Sequence, residues 1–192
     1  MGLTRKSAGS IRIPIVGAIG VLGVLSALAF AGYYREQQKI ASSNYAVNYP
    51  MAPVGWISIP HGPQTLFVFQ NLKDKTEIRG GVNQVISDFN PTPELGTESV
   101  AQYYIDRTTQ NMPDWTAKKL GSIAGKNTTF CLIKRTRKGK EVVSAFAVQG
   151  NTTVVMTLAS PEKVGSSVEP EMKKFESFLS NVSLDKKDMS NL

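Results

Sequence analysis

One long apolar run and several short alternating runs divide the chain. Residues 13–34 carry no charged side chain. As an α-helix rising about 1.5 Å per residue they would cover about 33 Å, which is enough for a bilayer core of about 30 Å. Tyr33 and Tyr34 close the run where interfacial aromatic residues are enriched, and a polar segment follows. The pattern predicts a single N-terminal transmembrane helix over residues 13–34.

The end of the same run also fits a cleaved signal peptide. Ala29 and Ala31 occupy the small-residue positions that precede a cut ahead of Gly32. However, the apolar stretch is longer than the roughly 7 to 15 residues typical of a secretory signal. Length and flanking residues therefore favour a retained anchor, with cleavage as the alternative.

The charges around the predicted span indicate its orientation. The bases before it are Arg5, Lys6 and Arg12. After it, Glu36 partly offsets Arg35 and Lys39. Because the more basic flank stays inside, we expect residues 1–12 in the cytoplasm and everything after the span on the outer side, the periplasm of a bacterium.

Small residues form a strip along the predicted span. Gly23, Ala27 and Ala31 recur every four residues, and Gly20 lies on an adjoining face. Such a strip lets another membrane helix approach closely, so we predict a helix-packing contact here. The alternative is that glycine and alanine are simply frequent in membrane helices.

The remainder of the chain has polar ends around a patterned middle. Residues 35–54 are polar and contain Pro50 and Pro53, which predicts a linker. The folded domain is expected over residues 55–184. Residues 185–192 are polar and are expected to form a flexible tail.

Seven short runs have the alternating or β-branched character of strands. They are residues 55–60, 65–70, 77–89, 116–124, 128–136, 141–149 and 152–160. Turn residues at 125–126, 138–140 and 150–151 join the last four into an antiparallel meander.

Two helical patterns flank this meander. The first, residues 96–112, has Thr97 as the expected N-cap and ends before Pro113. The second, residues 170–182, has Pro170 in its first turn and apolar side chains on one face. This order predicts an α+β fold, with an antiparallel sheet of about six or seven strands between helices.

Length and charge bound the class of protein. A chain of 192 residues has room for one domain and a membrane segment. The formal net charge is +7, but three of the 22 bases precede the predicted span while all 15 acids follow it. The outer domain is therefore only mildly basic, which argues against a nucleic-acid partner.

The residue types that carry chemistry are scarce. His61 is the only histidine and Cys131 the only cysteine, which excludes multi-histidine and multi-cysteine metal sites. We interpret His61 as a loop residue and Cys131 as a small core residue. Asp88, Glu94 and Glu98 could hold a hard cation, but their spacing is not that of a calcium loop, and capping or solvation explains them better. We predict no catalytic residue, no metal and no cofactor, and hence no enzyme.

One surface run stands out by its charge. Five bases fall within residues 134–140, at the tip of a predicted hairpin, and are expected to project from the sheet as a contact for a partner or for lipid headgroups. They are Lys134, Arg135, Arg137, Lys138 and Lys140. The alternative is a solvated turn that protects the hairpin from aggregation.

The order of elements resembles the PsbP-like family, named for an extrinsic subunit of the oxygen-evolving photosystem, and its relatives of the Mog and DcrB type. The matching stretches are "GWISIP" (55–60), "LGTESVAQYY" (95–104), "VVMTLASPEK" (154–163) and "EPEMKKFESFLSNV" (169–182). The resemblance covers residues 55–183. Members of this family are mostly non-catalytic and bind or stabilise larger assemblies, and the resemblance implies such a role for this chain. No family site residue is carried over.

These observations lead to one main hypothesis. The chain is expected to be an accessory subunit of a photosynthetic complex (reaction-centre or light-harvesting) or of a respiratory complex, in the cell (inner) membrane, with other subunits and membrane lipids as partners. The first alternative is a free-standing anchored protein that binds a ligand or metal between the sheet and the first helix. The second is a secreted, hydrolase-like protein produced by cleavage before Gly32.

Overall fold

A computed structural model of the protein describes residues 44–62, 65–84, 96–150, 152–163 and 165–187. Within these ranges, no helix has the length and apolar character needed to cross a membrane. The predicted span over 13–34 lies outside the described residues, together with its expected packing residues Gly20, Gly23, Ala27 and Ala31. The N-terminal segment 1–12 lies outside them as well.

Nine strands and two α-helices are found in the described residues. In chain order they are β1 (Tyr45–Asn48), β2 (Trp56–Ser58), β3 (Phe67–Asn71), β4 (Glu77–Gln84), α1 (Thr97–Asn111), β5 (Thr116–Ala124), β6 (Thr129–Arg137), β7 (Lys140–Gln149), β8 (Thr152–Ala159), α2 (Met172–Leu179) and β9 (Ser183–Lys186). A single 3-10 turn, Glu169–Glu171, leads into α2.

Seven of these strands form one antiparallel sheet in the order β2-β3-β4-β8-β7-β6-β5. The strands β5 to β8 follow one another as the predicted meander, and β8 then lies beside β4, where Arg79 pairs with Thr157. The prediction of an α+β fold built on an antiparallel sheet is therefore confirmed.

The alternation along β6 places the two helices on opposite faces of the sheet. Phe130 and Leu132 point into the cluster that contains the apolar side chains of α2. Cys131 and Ile133 point into a second cluster with Val100 of α1. Successive residues of a strand face opposite sides, so β6 can be apolar without interruption only because both sides are covered.

The start of α1 differs from the expectation. Gly96 is the N-cap and Thr97 is the first helical residue, so the prediction of Thr97 as the cap is wrong. The Thr97 hydroxyl instead accepts a hydrogen bond from the backbone N–H of Val148, at 3.2 Å. This bond ties the first turn of α1 to β7.

A second sheet of two strands joins parts of the chain that the sequence predicts to be linker and tail. β1 and β9 are antiparallel, with Val47 opposite Leu184. The segment expected as a linker therefore contains a strand, and Asp185 and Lys186, expected in the tail, belong to β9. Each strand has only four residues, which is too short for a periodic pattern to be recognised.

The side chain of Asn127 connects this small sheet to the β5–β6 turn. Its Oδ1 accepts from the backbone N–H of Leu184 at 2.8 Å, and its Nδ2 donates to the carbonyl oxygen of Leu184 at 3.1 Å. Asn127 thus completes the hydrogen bonding of Leu184 as a neighbouring strand would.

Gly80 leaves room for an aromatic ring in the core beneath the large sheet. A Cβ atom at this position would lie 2.3 Å from Cε1 of Phe67 and 2.9 Å from Sδ of Met156. Phe67 itself stacks on Phe69, with ring centroids 4.7 Å apart. The absence of a side chain at Gly80 therefore determines how closely this aromatic cluster can pack against β4.

We expect Gly80→Ala to lower the free energy of unfolding by about 1–3 kcal/mol, because the added methyl group overpacks the core. Gly62→Ala is the matched control, since a Cβ there meets no atom within 4 Å. Denaturant unfolding of both variants measures the difference. Combining Gly80→Ala with Phe67→Leu should recover part of the loss, and strict additivity of the two substitutions would contradict the overpacking explanation.

Candidate functional site

The face of the sheet that carries α1 is only partly covered by the helix. Tyr104 of α1 lies over Phe146, with ring centroids 4.4 Å apart, but the other end of this face holds a groove of about 460 Å³. We call it the open groove. Its charged lining residues are Lys75, Glu77, Arg79, Arg135, Lys140 and Glu162.

Strand register explains why these residues meet. Arg135 lies opposite Val142, and Arg79 lies opposite Thr157, so their side chains share the face that Cys131 and Ile133 occupy further along β6. The face is apolar under α1 and becomes polar where the helix no longer covers it. The open groove is therefore the uncovered end of a surface that the helix otherwise buries.

The basic run lies at the β6–β7 hairpin, as predicted, around a tight turn at Lys138 and Gly139. Gly139 has φ +79°, a conformation that glycine adopts without strain. The five bases do not all project, however. The side chain of Lys138 is exposed, whereas the other four residues are partly buried against the protein.

Acidic residues from neighbouring segments pair with three of these bases. Lys134 Nζ lies 2.9 Å from Glu141 Oε1. Arg137 forms an ion pair with Glu162, and Lys140 Nζ lies 4.0 Å from the same carboxylate. The hairpin is therefore less positive than its sequence indicates, because the fold brings acids to it from β7 and from the segment after β8.

Alternation also divides the bases between the two faces. Lys134 points to the α2 side, where Glu141 accepts hydrogen bonds from Ser167 Oγ at 2.7 Å and from the backbone N–H of Val168 at 3.0 Å. Burial raises the pKa of the Glu141 carboxyl. These hydrogen bonds and the one from Lys134 together lower the pKa by more than burial raises it, so the net pKa lies below its ordinary value. Glu141 therefore holds the segment before α2 against the sheet.

On the α1 side, two arginines share one aromatic ring. The guanidinium carbon of Arg137 lies 5.0 Å from the centroid of Trp115, and that of Arg135 lies 5.8 Å from it. Both distances are in the range of cation–π attraction. Trp115 precedes β5 directly and was not recognised as a site residue in the sequence.

Arg135 differs from the other arginines of this region in having no acidic partner. Among the described residues, no carboxylate oxygen lies within 4.0 Å of its guanidinium, whereas Arg79 pairs with Glu77 and Arg137 with Glu162. Its Nη2 donates to Ser144 Oγ at 3.4 Å. Burial lowers the pKa of the Arg135 guanidinium, so the charge is poorly solvated.

The residues considered for catalysis or metal binding are placed in other ways. Cys131 is fully buried, and His61 lies in an exposed segment with Nδ1 3.1 Å from the carbonyl oxygen of Gly62. Glu98 is bound by Lys119 and by Ser122, while Asp88 and Glu94 lie outside the described residues. In the described ranges, no three His, Cys, Asp or Glu side chains are grouped as metal ligands.

Comparison with known proteins gives likeness only at the level of structure. No protein-family model matches the sequence, and no curated protein matches it. The solution structure of cyanobacterial PsbP (CyanoP) from Synechocystis sp. PCC 6803 is 11% identical, with 73% of this chain and 92% of that chain covered and a TM-score of 0.47.

A second solved structure has a similar degree of likeness. LpqN, involved in cell envelope biogenesis of Mycobacterium tuberculosis, is 10% identical, with 75% of this chain and 86% of that chain covered and a TM-score of 0.44. With both TM-scores below 0.5, neither structure assigns a family or a function to this chain.

The Glu141 network predicts a pH dependence of stability. Since the folded-state pKa is below the ordinary 4.5, the contribution of Glu141 is fully present above about pH 4.5 and is lost as the pH falls through the folded value. We expect Glu141→Gln to lower the free energy of unfolding at pH 7 by about 1–3 kcal/mol and to flatten its decline in acid. Denaturant unfolding between pH 3 and 7 measures both effects. The control is Glu176→Gln, an exposed position on α2, and equal pH profiles for the two variants would contradict the role of Glu141.

Proposed function

We propose that the protein is a non-catalytic accessory subunit whose outer domain docks onto an acidic surface of another subunit in a membrane complex. The observation that carries the proposal is the charge of the open groove, where four bases face two acids on an otherwise buried face of the sheet. Complementary charge across an interface steers association and fixes register more than it adds affinity. A groove of this composition suits a partner that presents carboxylates.

The membrane context of the proposal rests on the sequence. The apolar run 13–34 would anchor the chain in the cell (inner) membrane, with residues 1–12 in the cytoplasm and the domain in the periplasm. The strip of Gly20, Gly23, Ala27 and Ala31 would pack against a helix of the same complex. The host would be a photosynthetic or respiratory complex, with lipids as further contacts and no nucleic acid.

The proposal of a non-catalytic role follows from how the reactive groups are used. The thiol of Cys131 is fully buried, and burial together with nearby Glu98 raises its pKa, which disfavours the nucleophilic thiolate. The carboxylate of Glu98 is already bound by Lys119. These groups support the packing of α1 on the sheet.

A second candidate function is the capture of a small ligand by a free-standing anchored protein. The volume of the open groove, about 460 Å³, falls within the roughly 300–1,000 Å³ of ligand pockets. The groove lies on the sheet face that carries α1, but none of its lining residues belongs to α1, so it is not the cleft between the sheet and the first helix that the sequence predicts.

Neutralising the open groove should weaken the proposed complex. We expect the double variant Arg79→Gln, Lys140→Gln to migrate largely as a free chain when membranes are solubilised in mild detergent and sized. The matched control, Lys118→Gln with Lys126→Gln, removes two exposed bases elsewhere and should co-migrate as the wild type does. Raising salt until the Debye length falls from about 10 Å to about 3 Å should affect the wild type more than the groove variant. Migration of the wild type itself as a lone 20.9 kDa chain would contradict the proposal.

A separate variant tests the predicted membrane contact. Gly23→Leu with Ala27→Leu should leave membrane insertion intact, because leucine is at least as apolar, but should prevent close helix approach. The matched control is Ala18→Leu with Ala29→Leu, since in a helix of 3.6 residues per turn these positions face away from the strip. Membrane fractionation and sizing measure the two effects. Assembly of the strip variant at the yield of the control would exclude the strip as an interface.

A further inference from the structure

We propose that Arg135 is the anchor of a carboxylate-binding subsite in the open groove. This inference deepens the proposed function and rests on it, because it assumes that the open groove is a binding site. It adds the chemical group that is recognised and the residue that recognises it. The carboxylate would come from an acidic side chain of a partner or from a free organic acid.

The side chain of Arg135 is held in place before any ligand arrives. The centroid of the Trp115 ring lies 5.8 Å from the guanidinium carbon of Arg135. Ser144 Oγ accepts a hydrogen bond from Arg135 Nη2 at 3.4 Å. Ser144 is almost fully buried in the middle of β7, so its hydroxyl is a fixed point. An arginine restrained in this way loses less conformational entropy on binding than a free surface arginine does.

The guanidinium also retains unused donors. It carries five N–H groups in a planar fork, of which the structure uses one for Ser144. That fork matches the two oxygens of a carboxylate, which can accept two parallel hydrogen bonds from it. The open groove lies beside these donors, since Arg135 is one of its lining residues.

Two bases of the groove, Lys75 and Arg135, form no ion pair with a described acid, but Lys75 is exposed to solvent whereas Arg135 is partly buried. Arg79 is paired with Glu77, and Lys140 shares Glu162 with Arg137. A partly buried cation without a counter-ion costs free energy that an arriving anion returns. The lowered pKa of Arg135 expresses the same cost.

The remaining acids of the groove favour a carboxylate over phosphate. Glu77 and Glu162 line the same groove and would repel the two negative charges that a phosphate dianion carries on one group more strongly than the single charge of one carboxylate group. One unpaired guanidinium balances the single negative charge of one carboxylate group. The site should therefore prefer organic acids to inorganic phosphate.

The test uses the full-length chain in detergent and takes Trp115 as its reporter. The chain has two tryptophans, so Trp56→Phe leaves Trp115, beside Arg135, as the only one. In this background, succinate added at constant ionic strength should change the fluorescence saturably. Arg135→Gln should weaken binding by about tenfold or more, as expected when a hydrogen-bonded charge is lost.

Two further variants separate recognition from structure. Arg135→Lys keeps the charge but not the planar fork, so it should also bind succinate more weakly, and it provides the measurement if the glutamine variant fails to fold. Lys126→Gln removes an exposed base in the β5–β6 turn, beyond the end of β6 that is far from the groove, and should bind within twofold of the parent. Circular dichroism of each variant verifies that it is folded.

Three results would overturn the inference. They are no saturable response to succinate, equal succinate affinity in the Arg135 variants and the parent, and tighter binding of inorganic phosphate than of succinate. A glutamate-containing peptide that binds at least tenfold more tightly than succinate would identify a partner side chain as the source of the carboxylate. Equal affinity of peptide and succinate would identify a free organic acid.

The outcome can be distinguished from that of the proposed function. If the complex depends on Arg79 and Lys140 but succinate does not bind, the carboxylate subsite is wrong and the docking role stands. If succinate binds through Arg135 while the double variant of Arg79 and Lys140 assembles as the wild type does, the accessory role is wrong and the small-ligand function replaces it.

Discussion

The burial of both faces of β6 is the constraint on which the rest of the structure depends. Phe130 and Ile133 are both fully or almost fully buried, although they point to opposite sides of the sheet. Burying each such side chain contributes about 1.5–3 kcal/mol, which is obtained only if a layer covers each face. α2 supplies one layer and α1 the other. The seven-stranded sheet therefore has to be internal, and the long connection between β4 and β5 carries α1 across it.

The same alternation produces the candidate site when the helix no longer covers the sheet. Beyond Ile133 the strand continues with Lys134, Arg135 and Arg137, so each face changes from apolar to charged within one or two residues. On the α2 side, Glu141 neutralises the first base and holds the segment before that helix. On the α1 side, Trp115 covers the arginines only in part. The open groove is thus a direct result of the length of α1 relative to that of the strands.

Local patterns were sufficient for most of the fold and insufficient for the site. The meander and both helices follow from alternation, turn residues and helical spacing, which depend on neighbours in sequence. β1 and β9 could not be predicted, because a contact between them such as the side-chain hydrogen bond from Asn48 to Asp185 spans 137 positions and leaves no local signal. The basic run was visible, but its charge balance was not, since Glu162 reaches it from another part of the chain. Trp115 could have been suspected as an aromatic residue next to a strand predicted to pair with the bases.

Arg135 is a partly buried base of the β6–β7 hairpin that has no carboxylate partner among the described residues, and this makes it a candidate functional residue. Polar and charged groups in a folded domain are normally satisfied, and the places where a protein departs from that rule are commonly functional sites. Lys134, Arg137 and Lys140 all obey the rule, although they lie on the same hairpin as Arg135. Neutralising Arg135 as well would have needed only one more acid on a neighbouring strand, where Val142 stands opposite it. A position at which neighbouring bases are paired and one is left available, over an open groove, is suited to receive its negative charge from another molecule.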